Sequence, residues 1–231
     1  MNAPVERFEA LGRLSGVRHA FIGRVPGIDV RVDREEALAR LAAVHGEMRR
    51  EMHFGELLGT AKQVHGNRVA ALRDPATREE PETDGLVTNV PGLCLGVYVA
   101  DCCAVYLVDP VRRAIGLLHS GRKGTDLAIA QRAVDAMARE YGSHPADIVA
   151  QLSPCIRPPQ YEVDFAAEIV RQLHAAGVGT VADCGANTAA DLGRYYSYRM
   201  EKGRTGRLLA LLMLENPPSR PNTFCFAPGE K

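Results

Sequence analysis

The chain has no long hydrophobic run, no excess of charge of either sign and no pair of cysteines with CxxC spacing. Its longest apolar run extends only from Leu93 to Val99, which is too short to cross a bilayer. Lys and Arg together number 28, as do Asp and Glu, so no overall field attracts nucleic acid or an anionic membrane. The first residues carry charges and lack the apolar core of a signal peptide. We therefore expect a soluble, cytoplasmic protein that binds neither nucleic acid nor membrane.

The six cysteines are expected to be reduced thiols, because a chain of 231 residues without a secretion signal does not need a disulfide framework. Their spacing argues against a thioredoxin-type motif and against a four-cysteine structural zinc site. Cys94 and Cys103 suit core positions, and Cys155 suits a structural position near a site. Any metal site must therefore take its ligands from distant parts of the chain.

The composition is that of a globular domain, with 46% hydrophobic residues and no repeat or low-complexity linker. Strands and helices interleave without a strict βαβ rhythm. We therefore predict a single domain over residues 1–231, of the α/β (α+β) class, in which layers of mixed β-sheet are flanked by helices.

Local patterns predict the individual elements. Asp33 and Glu36 match a capping box ahead of a helix whose apolar face includes Leu41. Other patterns predict strands at 93–99, 104–108, 114–118 and 148–152, helices at 124–141 and 165–176, and a strand or buried helix at 206–214. We expect the strand at 104–108 to continue the strand at 93–99. We also expect it to pair in a hairpin with the strand at 114–118, because only DPVRR separates these two.

Three motifs each contain a soft or borderline metal ligand: His65 in KQVHG, Cys102 in ADCC and His119 in LHSG. One thiol and two imidazoles suit zinc, and three protein ligands leave the fourth tetrahedral position open. Cys102 and His119 lie at the ends of neighbouring strands, and His65 precedes a Gly66-Asn67 turn that can reach them. If the three meet, they form a catalytic metal site rather than a structural one.

The turn after His119 is rich in glycine and carries Arg122 and Lys123. It leads into a predicted helix. The free N–H groups of a helix start, together with two cations, suit an anion such as phosphate.

An ordered series of motifs resembles one known family. The series comprises KQVHG at 62–66, DGLVT at 84–88, ADC at 100–102, VYLVDP at 105–110, HSG at 119–121, SPCI at 153–156, YEV at 161–163, YYSYR at 195–199 and GRTGR at 203–207. Together they resemble the bacterial laccase-domain or polyphenol-oxidase family, now regarded as purine nucleoside phosphorylases. The match covers about residues 18–214, and several blocks in the right order are more specific than any one of them.

The resemblance implies a fold of mixed sheet flanked by helices, with zinc held by the catalytic residues His65, Cys102 and His119. It implies phosphorolysis of adenosine, inosine and methylthioadenosine, and hydrolytic deamination of adenosine. The partners would be purine nucleosides and phosphate, and the protein a monomer or weak homo-oligomer. Laccase chemistry does not fit this chain, because seven histidines without a His-x-His pair are too few for a trinuclear copper cluster.

Phosphorolysis needs cations to bind phosphate, and zinc can activate a water for deamination. The candidate substrate-binding cations inside or beside the matched blocks are Arg24, Lys62, Lys123 and Arg199. Asp101 is a candidate base or orienting group beside Cys102, although strand alternation would point it away.

Two blocks depart from the family pattern. HSGRKG stands at 119–124 where relatives read HAGWRG, and SPCIRP stands at 153–158 where they read GPCIGP. These changes alter the pocket around the ligands rather than the ligands themselves, and they leave open both the preferred nucleoside and the use of phosphate.

Two other functions remain open. A fold of this kind also resembles the catalytic domains of bacterial glutamine deamidases, in which Cys102 would be a metal-free nucleophile and His119 its base. His65 distinguishes the two, because only the zinc site requires it. The second alternative is a non-catalytic binding protein, such as a peptidoglycan-editing or division-associated factor.

Overall fold

The computed structural model describes residues 3–76 and 78–216, so Cys225 and the Pro-rich tail lie outside the described residues. Two six-stranded mixed sheets dominate the structure. The first sheet contains, in spatial order, β1 (Val5–Glu6), β2 (Val17–Ile22), β12 (Leu208–Leu214), β7 (Cys94–Val99), β3 (Leu58–Ala61) and β5 (Arg78–Glu80). The second contains β11 (Thr180–Asp183), β10 (Val149–Leu152), β8 (Cys103–Asp109), β9 (Ala114–Ser120), β6 (Gly85–Thr88) and β4 (Val69–Leu72).

Five α-helices accompany the sheets in the described residues. They are α1 (Glu9–Gly12), α2 (Arg34–Glu51), α3 (Arg122–Asp126), α4 (Ile129–Tyr141) and α5 (Phe165–Ala175). The predicted α/β class, with layers of mixed sheet flanked by helices, is confirmed. In residues 3–76 and 78–216, no helix combines the length and the hydrophobicity that a membrane span requires.

The second sheet lies between the first sheet and the helices α4 and α5. The alternation of side chains along β8 shows this directly, because Tyr106 belongs to the core shared with the first sheet and Leu107 to the core shared with the helices. The Tyr106 hydroxyl donates to the Ala20 carbonyl of β2 at 2.8 Å. A central strand buried on both faces explains why the sequence around β8 is almost continuously apolar.

The predicted hairpin is confirmed, since β8 and β9 pair antiparallel from Cys103 opposite Ser120 to Asp109 opposite Ala114. The expectation that residues 104–108 continue the strand 93–99 is wrong. The chain leaves the first sheet after β7 and enters the second at β8. At this crossover Asp101 has a φ of 79°, a left-handed conformation that aspartate tolerates better than most residues.

The Asp101 carboxylate anchors the crossover. It accepts hydrogen bonds from the Thr188 hydroxyl at 2.7 Å, the Ser197 hydroxyl at 3.0 Å and the Arg199 amide at 2.7 Å. These three donors come from the 188–199 loops, so one buried carboxylate joins the crossover to the segment that precedes β12. The role of a base for Asp101 is therefore replaced by an anchoring role.

The helix predicted from the Asp33–Glu36 capping box is confirmed as α2, and the Asp33 carboxylate accepts from the Glu36 amide at 2.9 Å. The helix predicted over 124–141 is instead two helices, α3 and α4. Ala128 between them has a φ of 56°, which interrupts the α-helical hydrogen bonding. The segment at 206–214, for which the sequence predicted a strand or a buried helix, contains the strand β12.

Two histidines outside the predicted ligand set, His19 and His45, are buried. His45 of α2 is 3% exposed and stacks on Tyr98 at a ring-centroid distance of 6.0 Å. Neither of its ring nitrogens has a hydrogen-bond partner among the described residues. Burial lowers the pKa of His45 to about 4, and burial followed by the charge of Arg7 lowers the pKa of His19 to about 4. The unfolded chain therefore binds more protons than the folded chain between the ordinary histidine pKa of 6.5 and this value.

We expect acid to destabilise the protein in that window, by up to about 1.4 kcal/mol per pH unit for each of these histidines. His45→Phe should flatten the pH dependence of the free energy of unfolding, because phenylalanine cannot bind the proton. Urea unfolding of the variant at neutral and mildly acidic pH measures this. His174→Gln, a change at an exposed site on α5, should leave the slope as it is. An unchanged slope in His45→Phe would contradict the assignment.

Candidate metal centre and its cavity

The three ligand candidates meet in space. The ligand atoms of His65, Cys102 and His119 all lie within 4.8 Å of one another. The two imidazole rings are 4.7 Å apart between centroids and inclined by 76°. Within residues 3–76 and 78–216, this is the one group of three or more His, Cys, Asp or Glu side chains whose ligand atoms converge so closely.

The hairpin brings two of these ligands together. Cys102 immediately precedes β8. Two residues further on, Ala104 of β8 lies opposite His119 of β9, so the hairpin places Cys102 and His119 near the same end of the paired strands. His119 is almost completely buried, whereas Cys102 is half-buried. The strand ends thus hold a thiol and an imidazole next to each other at the edge of the core.

His65 reaches the cluster from the loop between β3 and β4. It has a φ of 60°, so the backbone turns sharply at the ligand itself. The turn expected at Gly66-Asn67 thus begins one residue earlier. The imidazole is exposed towards the solvent side of the cluster.

Asp84 holds both histidines in place. Its carboxylate, 0% exposed, accepts from the backbone amides of Val64 at 3.1 Å, His65 at 3.0 Å and Gly66 at 2.7 Å. The same carboxylate is 2.7 Å from Nδ1 of His119. Because Nδ1 is engaged in this way, Nε2 of His119 is left to bind a metal.

The charges in this cluster favour a thiolate. Burial by itself would raise the pKa of Cys102. The charge of His119 and the hydrogen bonds from both histidines outweigh burial and lower this pKa to about 6. Burial opposes protonation of His119, but the Cys102 and Asp84 charges raise the pKa of His119 to about 9. Hydrogen bonds from His119 and from the loop amides outweigh burial and lower the pKa of Asp84. The cluster therefore presents a thiolate, which is the form of cysteine that binds metals.

The donor set fits a borderline-soft divalent ion such as zinc, because one thiolate and two imidazoles leave a coordination position open. The surroundings also leave space at the sulfur. A Cβ atom on Gly121 would lie only 2.5 Å from Sγ of Cys102. A side chain at this position would therefore displace the thiolate, which explains why a glycine follows the LHS motif.

The cluster lies at the wall of a cavity of about 1120 Å³. All three ligand residues line it, together with aromatic side chains that include Tyr98, Tyr161 and Tyr198. A volume of this size accommodates a small-molecule substrate.

Two of the four predicted substrate-binding cations line this cavity, namely Lys123 and Arg199. Arg24 and Lys62 are not part of its lining. The Arg24 guanidinium instead donates to Glu201 at 2.8 Å. The structure thus places Lys123 and Arg199 at the cavity that contains the ligand cluster, and Arg24 and Lys62 outside the cavity lining.

The sequence interpretation missed Asp84, Arg34 and Arg207. Asp84 begins the DGLVT block and Arg207 ends the GRTGR block, so their places in matched motifs were the available signal. Arg34 was hidden in the first turn of a helix, where a charged residue is ordinary. All three either hold a ligand or line the cavity.

The fold and the site define a class: mixed α/β proteins in which a His–Cys–His cluster capable of binding a metal opens into a large cavity. Comparison with known proteins then identifies the family. The family model described as multi-copper polyphenol oxidoreductase laccase matches residues 27–169 and 163–215. The chain belongs to this laccase-domain family, as its motifs indicated.

Relatives and solved structures agree with this assignment. A protein of Deinococcus radiodurans named purine nucleoside phosphorylase is 36% identical, with 86% of this chain and 89% of the relative covered. The crystal structure of hypothetical protein YfiH from Bacillus licheniformis matches with a TM-score of 0.74 at 25% identity, covering 86% of this chain and 93% of that one. YlmD from Geobacillus stearothermophilus shares the fold, with a TM-score of 0.72 at 22% identity and coverage of 88% and 93%.

We expect Asp84→Asn to weaken zinc binding by about 10- to 100-fold. The single amide oxygen of asparagine cannot accept hydrogen bonds from the three loop amides and from His119 together. Titration of the metal-free protein with Zn²⁺ against a competing chelator measures this, and circular dichroism checks that the variant is folded. Asp135→Asn, at an exposed position on α4, is the matched control and should bind Zn²⁺ as the unmodified protein does. A folded Asp84→Asn protein with undiminished affinity would refute this role.

Proposed function

We propose that this protein is a zinc-dependent purine nucleoside phosphorylase that acts on adenosine, inosine and methylthioadenosine, and that it also deaminates adenosine. The observation that carries the proposal is the convergence of His65, Cys102 and His119 at the wall of a large cavity. The names of its relatives support the phosphorylase activity. We further propose a single-domain enzyme that works in the cytoplasm.

In this proposal the three catalytic residues hold the ion through Nε2 of His119, the Cys102 thiolate and the His65 imidazole. When bound, zinc supplies Lewis-acid chemistry and positive charge at the cavity wall. Asp84 keeps His119 in one tautomer and fixes the His65 loop. The ligand geometry therefore depends on a carboxylate that does not itself touch the substrate.

The cavity side chains bind the two substrates. Aromatic rings such as Tyr98 and Tyr161 offer faces on which a purine can stack. Lys123 and Arg199 add positive charge to the cavity lining, which favours the entry of an anionic co-substrate such as phosphate. In phosphorolysis a phosphate oxygen forms a bond to C1′ of the sugar while the C1′–N9 bond breaks. The purine leaves with the electron pair of that bond and takes up a proton.

A second function is favoured by one observation. Cys102, His119 and Asp84 form a thiolate–imidazole–carboxylate series in which each group contacts the next. This is the arrangement of a metal-free cysteine hydrolase or deamidase. His65 separates the two proposals, because it completes the metal cluster and is not required by the hydrolase.

Incubation of the purified protein with adenosine, with and without phosphate, tests the first proposal. We expect adenine and ribose 1-phosphate only with phosphate, inosine in both conditions, and about one zinc per chain by elemental analysis. Cys102→Ser and His65→Ala should each reduce both activities by more than about 100-fold, since loss of a ligand exceeds the loss of a supporting group.

Cys184→Ser, which changes an exposed thiol, is the matched control and should remain active. No product from adenosine, inosine or methylthioadenosine would rule out the phosphorylase. A zinc-free protein whose hydrolytic activity survives His65→Ala but not Cys102→Ser would establish the cysteine hydrolase instead.

A further inference from the structure

Arg207 is a buried cation without an acidic partner. It immediately precedes β12, is 8% exposed and lines the cavity. Its Nη1 atom donates to the carbonyls of Thr205 and Gly206, both at 2.9 Å. Its Nε and Nη2 atoms have no hydrogen-bond acceptor in the described part of the chain. A buried guanidinium that keeps free donors and lacks a counter-charge is costly unless a ligand supplies one.

Arg34 faces the same cavity from the first turn of α2. Burial, and next the positive charge of Arg34, lower the pKa of Arg207, while the charges of Cys102 and Asp101 act in the opposite direction. The guanidinium groups of Arg34 and Arg207 therefore repel each other. The charge of Cys102 attracts that of Arg207. Among residues 3–76 and 78–216, Arg34 makes no ion pair.

The acidic residues of the cavity lining do not compensate this pair. Asp33 caps α2, Glu36 pairs with Arg40, and the Asp101 carboxylate accepts the three hydrogen bonds of the crossover. Each carboxylate is thus engaged by other donors, and the charges of Asp101 and Cys102 offset the burial of Arg207 and its repulsion by Arg34 only in part. Neither arginine forms an ion pair within residues 3–76 and 78–216.

This arrangement differs from that of two other arginines at the cavity. Arg199 and Arg122 are both exposed, and both form ion pairs with Glu162, at 3.2 and 3.9 Å. Their charges are partly neutralised and screened by solvent. Arg207 is mostly buried and keeps two donor atoms without a partner in the described residues, so solvent would screen an anion beside it less than an anion beside the exposed arginines.

We propose that Arg207 and Arg34 form a phosphate-binding subsite in the cavity beside the His65–Cys102–His119 cluster. Two guanidinium forks match the several oxygens and the double negative charge of phosphate. The proposal rests on the proposed function and deepens it. The phosphate group bound there comes either from inorganic phosphate as co-substrate or from a nucleoside that carries its own 5′-phosphate.

Binding of inorganic phosphate to the zinc-loaded protein, measured by calorimetry without nucleoside, tests the subsite directly. Arg34→Gln and Arg207→Gln should each weaken this binding by about 10-fold or more, the usual effect of losing a charge-assisted hydrogen bond. Arg132→Gln, at an exposed position on α4 and outside the cavity lining, is the matched control and should bind phosphate like the unmodified protein. Arg34→Gln removes a half-exposed side chain, so it carries the test if Arg207→Gln does not fold.

Two further measurements identify the source of the phosphate. If the subsite binds the co-substrate, phosphate and adenosine bind together, and both variants raise the KM for phosphate more than the KM for adenosine. If it binds a phosphorylated nucleoside, adenosine 5′-monophosphate binds at least about 10-fold more tightly than adenosine, and inorganic phosphate competes with it. Either result supports the subsite.

Equal phosphate affinity in the unmodified protein and in both folded variants would overturn the proposal. That failure is distinct from failure of the proposed function. Phosphate binding that depends on both arginines, without turnover of any nucleoside, would keep the subsite and overturn the activity. Phosphorolysis by the unmodified protein, with unaltered phosphate affinity in both variants, would keep the activity and overturn the subsite.

Discussion

The site depends on the buried carboxylate of Asp84. A fully buried charge is tolerated only where enough donors surround it, and here three loop amides and one imidazole do so. Asp84 immediately precedes β6, which pairs with β9, the strand that contains His119. Its carbonyl also accepts from the His119 amide at 2.7 Å. A single residue therefore fixes the main chain and the ring of one ligand, and the loop of another.

The sequence was sufficient to predict the parts of the site that follow from local patterns. The hairpin of β8 and β9 could be predicted because a short turn separates two apolar runs, and the hairpin brings Cys102 close to His119. The ligand set could be predicted from the chemistry of its side chains together with the ordered series of motifs in which they lie. A register of two strands requires only neighbouring residues, so it is encoded locally.

Other features could not be predicted, because they depend on residues distant in sequence. An apolar pattern does not reveal that the chain changes sheets at Asp101, since its stabilising donors come from residues near 188–199. The break at Ala128 has no glycine or proline to mark it. Arg207 and Arg34 line the same cavity although they are distant in sequence, and no spacing in the sequence expresses this.

The crossover at Asp101 has a consequence for how this chain can evolve. The residue that lets the main chain pass from one sheet to the other immediately precedes the cysteine of the ligand cluster. Selection for a folded protein therefore acts on Asp101, and selection for the chemistry of the cluster acts on the neighbouring residue, Cys102. A lineage that did not use the His65–Cys102–His119 cluster could replace Cys102 by another small residue, but it would still need Asp101. Loss of activity and loss of the fold can thus be separated by a single residue.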